Sequence, residues 1–218
     1  MSNQYEVVIV GGGFSGLLCG YFLKEAGIED FCILEMGDSL GGVWQKGGVG
    51  GYPGAACDVP SYAYLPFLDR IGFIPSKKYV TQHEIATYTD KLVEYCGLEP
   101  HIRFSTKVTS INYVGTGQWQ ISTHGMAKGS DSGNYVATHV VSASGPLSTP
   151  RMPEVAGMQQ FKGASFHTAQ WDYGVDLKGK HVGIIGTGAS AAQVITSIAD
   201  EVETLTVFQR SATWALPR

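Results

Sequence analysis

The sequence predicts an α/β protein in two lobes, and three observations carry that expectation. A short apolar strand near the amino terminus runs into a glycine-rich turn at Gly11 and then a helix; the same pattern returns at Gly186, near the other end of the chain; and the stretch between them alternates like strands. The fold class expected is two dinucleotide-binding, Rossmann-like lobes, the first with a β-meander insertion and the second incomplete.

The first unit is legible residue by residue. Tyr5 to Val10 is a β-branched run that ends in three glycines, and helix-compatible Leu17, Leu18, Tyr21, Phe22 and Leu23 follow. Gly11, Gly13 and Gly16 occupy the three fixed positions of GxGxxG, which serve the tight turn, the approach of backbone to a pyrophosphate and the packing of helix on strand. The helix start is an anion site without any lysine, because its first amides lack partners and the macrodipole is positive there. Phe31 to Leu34 reads as the next strand and ends in Glu35, at the distance along the chain from Gly11 where this fold places an acid on the ribose hydroxyls.

Farther along, Gln82 to Gly97 carries Ile85, Tyr88, Leu92, Val93 and Cys96 at helical spacing. Ile102 to Phe104, Lys107 to Tyr113, Gln118 to Thr123 and Tyr135 to Ala143 read as strands, with Gly125 to Asn134 as a hairpin tip. Ser144 to Pro153 holds Gly145, Pro146, Pro150 and Pro153, the composition of a connection between lobes. The division expected is a nucleotide-binding domain over residues 1–144, a linker over 145–178 and the start of a second such domain over 179–218. In that second unit Val182 to Ile185 repeats the strand, and Gly186, Gly188 and Ala191 repeat the fingerprint. A helix pattern and the strand Thr204 to Phe208 follow, and Arg210 stands as far from Gly186 as Glu35 does from Gly11, a base in place of an acid. A carboxylate accepts ribose hydroxyls and repels a 2′-phosphate, whereas a guanidinium offers that phosphate a fork of donors. The first unit therefore suits FAD, with NAD left open by the carboxylate alone, and the second suits NADP.

Composition narrows the partners. With 19 acidic and 15 basic residues the formal charge is −4, which gives no electrostatic case for nucleic acid. An apolar share of 44% against 16% charged residues is that of a globular chain. Cys19, Cys32, Cys57 and Cys96 form no CxxC pair, so neither a zinc site nor an adjacent redox couple is expected, and a disulfide reductase is set aside. No basic n-region precedes Val7 to Leu23, and that stretch is too short and too rich in glycine for a membrane span, so a reduced, cytoplasmic chain is expected.

Gly41, Gly42, Val43 and Trp44, then Tyr52 to Asp58 (YPGAACD), and above all Phe161, Gly163, His167, Trp171 and Asp172 (FxGxxxHxxxWD), resemble the flavin-dependent Baeyer-Villiger monooxygenases. The resemblance runs from about Tyr5 to Arg218, and the Trp-Asp pair favours the ketone-oxidising branch over the N- and S-oxygenating flavin monooxygenases. It implies that NADPH reduces FAD, that O2 gives a flavin C4a-peroxide, and that one oxygen atom enters a small-molecule ketone. By family position, Gly11, Gly13, Phe14, Ser15, Gly16, Glu35, Gly42, Val43, Trp44, Asp58, Tyr64 and Val108 would meet FAD. Gly186, Thr187, Gly188, Ala189, Ser190, Ala191, Gln193, Arg210 and Ser211 would meet NADP. The resemblance casts Asp58 as the acid that positions a catalytic arginine, and His167 as a residue that couples the linker to domain motion.

Departures accompany the matches. Family members usually carry an arginine where Ala56 stands, the segment before Tyr52 is lengthened by GGVGG, and the chain is less than half a typical member. None of Arg70, Arg103, Arg151 or Arg218 lies in a matching motif, so no catalytic arginine is assigned. The expectation is part of a larger enzyme, or a chain whose lobes a partner completes. The competing expectation is a nucleotide-binding remnant that keeps the turns without the chemistry.

Overall fold

The computed structural model describes residues 3–45, 51–127 and 132–214. The first unit is β1 (Gln4–Val10), α1 (Phe14–Glu25) and β2 (Phe31–Leu34). Next come α2 (Ser61–Tyr64), α3 (Leu68–Ile71) and α4 (Gln82–Cys96), and then β3 (Ile102–Arg103), β4 (Thr106–Tyr113), β5 (Trp119–Gly125) and β6 (Asn134–Ser142). After the linker stand β7 (His181–Ile185), α5 (Ala189–Ile198) and β8 (Thr204–Phe208). Strand and helix positions follow the sequence expectation to within a few residues. Most of the glycine-rich insertion (46–50), part of the hairpin tip (128–131) and Arg218 lie outside the described residues.

The six strands of the first lobe form one sheet in the order β3-β2-β1-β6-β5-β4. β1 runs parallel to both β2 and β6, whereas β4, β5 and β6 are an antiparallel meander. The insertion is thus no separate layer, because its last strand returns to the centre of the sheet and pairs with β1. That placement explains the unbroken apolar run of β1, since a central strand is covered on both faces. Val7 and Ile9 face α1 and α4, where Leu17, Phe31, Ile33, Ile85, Tyr88, Leu92 and Leu98 are almost completely buried. Val8 faces the other way with Cys32, Leu34, Ile121, Tyr135 and Ala137.

β7 and β8 form a separate parallel pair, and α5 covers it with Ala191, Val194 and Ile198 at i, i+3 and i+7. Ile185 and Phe208 remain 62% and 57% exposed, as expected for so small a sheet. Among the described residues no helix is long and apolar enough to cross a membrane.

Candidate nucleotide-binding site

The first turn is built by backbone geometry. Gly11 has φ +108°, a conformation that L side chains rarely adopt, and its N–H donates to the Leu34 carbonyl at 2.9 Å, tying turn to strand end. A Cβ there would also stand 2.5 Å from the Ala143 carbonyl oxygen, just past β6. At Gly16 a Cβ would overlap the Gly11 carbonyl, so α1 sits directly against the turn. The first helical bond runs from Leu17 N–H to the Gly13 carbonyl at 3.0 Å, which leaves the amides of Phe14, Ser15 and Gly16 without acceptors inside the helix. No acidic residue occupies the first turn of α1 to compete with an incoming anion.

Glu35 stands at the end of β2 and is 5% exposed. Its backbone is fixed on both sides, with its N–H donating to the Arg103 carbonyl at 2.9 Å and its carbonyl accepting from Thr106 N–H at 2.8 Å. The carboxylate accepts one amide on each oxygen, Gly37 N–H at Oε1 and Gly12 N–H at Oε2, both at 2.7 Å. A carboxylate has about four acceptor sites, so hydroxyl donors find room on the same group.

These residues line a cleft of about 420 Å³ formed by residues 10–15, 34–36, 41–45 and 106–108, with Tyr64 and the linker start at residues 143–146, 148 and 149. Ten of the expected FAD contacts meet there: Gly11, Gly13, Phe14, Ser15, Glu35, Gly42, Val43, Trp44, Tyr64 and Val108. Phe14, Trp44 and Tyr64 form an aromatic wall, with ring centroids 5.8 Å apart for Phe14 and Tyr64 and 5.9 Å for Trp44 and Tyr64. The Trp44 indole N–H donates to the Tyr64 hydroxyl at 2.7 Å. Burial above all pushes the Tyr64 phenol up, the Trp44 bond opposes that, and Cys57 and Asp58 add to it.

Gly16 lies beneath the turn instead of on the cleft, and Asp58 is solvent-exposed outside it. Sequence reasoning missed Lys107, exposed at the rim, and the linker start as a wall. The signal for the wall was the Ser144–Gly145–Pro146 break directly after a strand, read only as a connection.

The second turn repeats the first closely. Gly186 has φ +110°, and its N–H donates to the Phe208 carbonyl at 2.8 Å. Gly188 caps α5 at φ −73° and ψ 179°, against −78° and −179° for Gly13 at α1. Among the described residues nothing stands within 4 Å of a Cβ added at Gly186 or Gly188, with Ser190 half-buried beside them. Thr213 reaches back to the Thr187 hydroxyl at 2.8 Å, which brings the segment holding Ser211 over the turn.

One expectation changes here. The strand registers pair Val10 with Leu34 and Ile185 with Phe208, so the residue in the place of Glu35 is Gln209, and Arg210 stands one position farther on, exposed. The equal spacing from Gly11 to Glu35 and from Gly186 to Arg210 conceals a β7-to-β8 unit that is shorter by a single position. Gln193, expected at NADP, directs its carboxamide onto the first lobe at Ala56.

Within the linker, His167 Nδ1 accepts the Ala169 N–H at 3.0 Å and caps the short 3-10 turn Thr168–Gln170. Asp172 Oδ1 accepts Gly174 N–H at 2.9 Å, Trp171 packs edge-on against Phe166, and Gly163 lies against the Phe161 ring. The fingerprint is therefore a set of turns at the linker surface, away from the cleft.

A family model described as flavin-binding monooxygenase-like matches residues 4–218. A Baeyer-Villiger monooxygenase of Streptomyces coelicolor is 40% identical over 99% of this chain and 40% of its own. The polycyclic ketone monooxygenase of Thermothelomyces thermophila superposes with a TM-score of 0.88 at 34% identity, covering 96% of this chain and 36% of that one. The structure of the OTEMO complex with FAD and NADP superposes with a TM-score of 0.84 at 32% identity over 96% of this chain and 39% of its own. The chain thus spans about two fifths of the length of these relatives.

Proposed function

The chain belongs to the flavin-binding monooxygenase-like family, and from that premise we propose that it forms the FAD cleft and the start of the NADPH lobe of a Baeyer-Villiger-type monooxygenase. The observation that carries the reading is the pair of matched turns, the first followed by a buried carboxylate and the second by an exposed arginine one position beyond that acid's place. The cleft fits a flavin nucleotide on its own geometry. Two loops meet glycine on glycine at its base, where a Cβ on Gly13 would touch Gly42 Cα at 3.6 Å and one on Gly42 would crowd Gly13 Cα at 3.2 Å, and the unpaired amides of α1, the Glu35 carboxylate and the aromatic wall line the space beside them. When bound, the flavin supplies the redox chemistry that moves one oxygen atom from O2 to a ketone.

The chain's own residues do the remaining work described here. The amides of Phe14 and Ser15 and the dipole of α1 receive the pyrophosphate, and Glu35, held rigidly by Gly12 and Gly37, takes the ribose hydroxyls. Phe14, Trp44 and Tyr64 cover the cleft and exclude water from it. Arg210 and Ser211 receive the 2′-phosphate of NADPH, and this preference lets the second lobe choose NADPH over NADH. The substrate walls and the catalytic arginine come from sequence corresponding to the rest of the relatives' length, in the same or another chain. The Trp171–Asp172 pair supports ketone over amine or sulfide as the substrate. Among the described residues no two cysteines are joined in a disulfide, which suits a reducing cytoplasm.

The test is direct. The purified chain, titrated with FAD, should quench flavin fluorescence at one equivalent, and Arg210→Ala in the complete enzyme should weaken NADPH use while sparing NADH. A chain that takes up no flavin overturns the cofactor assignment. A complete enzyme whose NADPH oxidation no ketone stimulates overturns the reaction.

A further inference from the structure

The loop before Asp58 serves as a docking pad between the lobes. Tyr52 to Ala55 is a turn closed by Ala55 N–H to the Tyr52 carbonyl at 3.2 Å, with Gly54 at φ +78° in the position that a type II turn reserves for glycine. α5 lies directly on that turn: a Cβ on Gly54 would overlap the Ser197 hydroxyl and stand 2.6 Å from the Gln193 carbonyl oxygen. At the near end of the pad, the Tyr173 hydroxyl donates to the Gly51 carbonyl at 2.7 Å.

Gln193 completes the contact in a way no neighbouring side chain does. Its Nε2 donates to the Ala56 carbonyl at 2.8 Å, and its Oε1 accepts the Ala56 N–H at 3.3 Å and the Tyr52 hydroxyl at 3.1 Å. The planar carboxamide thus pairs with both backbone groups of one residue, as a neighbouring strand would. On its other side the pad is held by the first lobe, through an Ala56–Thr81 bridge, Gln82 N–H to the Ala55 carbonyl at 2.8 Å and Cys57 N–H to the Val80 carbonyl at 2.9 Å. Gln82 in turn donates from Nε2 to the Trp44 carbonyl at 2.7 Å, in the wall of the cleft.

We propose that Gln193 is an interlobe positioning residue, whose carboxamide latches the helix of the second nucleotide turn to the Ala56 backbone and so sets the second turn against the first cleft. The latch rests on geometry alone; its use in aligning two coenzymes rests on the proposed function. Substitution at Gln193 leaves α5 otherwise intact, because the core of that helix is Ala191, Val194 and Ile198.

Hydrogen exchange of the Ala56 amide in the full chain reads the latch, with the Cys57 amide as internal reference because Val80 holds it independently. Gln193→Leu should lower Ala56 protection about tenfold relative to Cys57, the scale of one lost net hydrogen bond. Gln193→Glu keeps an acceptor for the Ala56 N–H but at neutral pH sets its second oxygen against the Ala56 carbonyl, a repulsion that drives the side chain off the pad and should lower the protection. It should regain protection on acidification, because a protonated carboxyl again pairs one donor and one acceptor; the parent shows no such step. Unchanged Ala56 protection in Gln193→Leu, equal loss at Ala56 and Cys57, or a loss in Gln193→Glu that acid does not restore overturns the latch. Should Gln193→Leu fail to fold, the Gln193→Glu series carries the test. Absence of flavin uptake by the parent chain overturns the proposed function and leaves the latch standing.

Discussion

Gly11→Ala and Gly186→Ala form a matched pair that separates backbone strain from collision. Both positions hold nearly the same left-handed conformation, φ +108° and +110°, so each substitution incurs a strain of about 1–2 kcal/mol, partly offset by roughly 0.4–1 kcal/mol from a stiffer unfolded chain. Only at Gly11 does the new methyl also meet backbone, with the Ala143 carbonyl oxygen at 2.5 Å, its carbon at 3.0 Å and Ser144 Cα at 3.2 Å. Backbone cannot rotate aside as a side chain can, so overpacking adds about 1–3 kcal/mol at Gly11 and nothing at Gly186. The expected losses are roughly 2–4 kcal/mol in the first lobe and about 1 kcal/mol in the second. Urea-dependent native-state hydrogen exchange, read at β2 and at β7, reports each lobe separately. Losses equal within about 0.5 kcal/mol would refute the claim that the strand end at Ala143 closes the first turn and that the second stands open.

The other expectations concern the cleft and the buried thiols. Glu35→Gln sets an NH2 group against one of two amide donors, and should cost about 1.5–3 kcal/mol in urea unfolding while weakening FAD uptake; a loss near zero would mean that the two amides do not depend on the charge. Tyr64→Phe removes the acceptor of the Trp44 indole N–H, and should cost about 1 kcal/mol and shift tryptophan emission, with unchanged emission counting against the bond. Burial raises Cys32 from 9.0 to about 12 and Cys96 to about 11. A raised acid stabilises the fold fully below the unfolded value, so stability should fall as pH rises above 9.0, by up to about 1.4 kcal/mol per pH unit per thiol. Urea midpoints across that range should decline less steeply in Cys32→Ala, and an equal decline would show that Cys32 does not carry its share.

Local signals in the chain foretold the local structure. Both turns, α4 and the strands were readable because apolar period and glycine placement act over a few neighbours. What escaped was set by contacts across long separations. Nothing near β6 announces that it pairs with β1, and so nothing announced that Ser144 and Gly145 would wall the cleft. Gln193 read as one more residue beside a phosphate turn because its partner, Ala56, lies 137 residues away. Arg210 was placed by counting, and counting cannot see that the second helix and its connection are shorter by a single position. Asp58 keeps its motif yet stands exposed outside the cleft.

The central pairing of β1 with β6 has a consequence for how the molecule is made. On the ribosome, the three glycines and Glu35 emerge within the first few dozen residues, yet the Ala143 carbonyl that shuts the turn is made about 110 residues after that acid. High sequence separation slows such closure, and the nascent segment waits with its middle strand lacking one neighbour. The turn is therefore closed only after the meander is made, and any delay in translation through β4 to β6 lengthens the interval in which that bare strand is open to wrong partners.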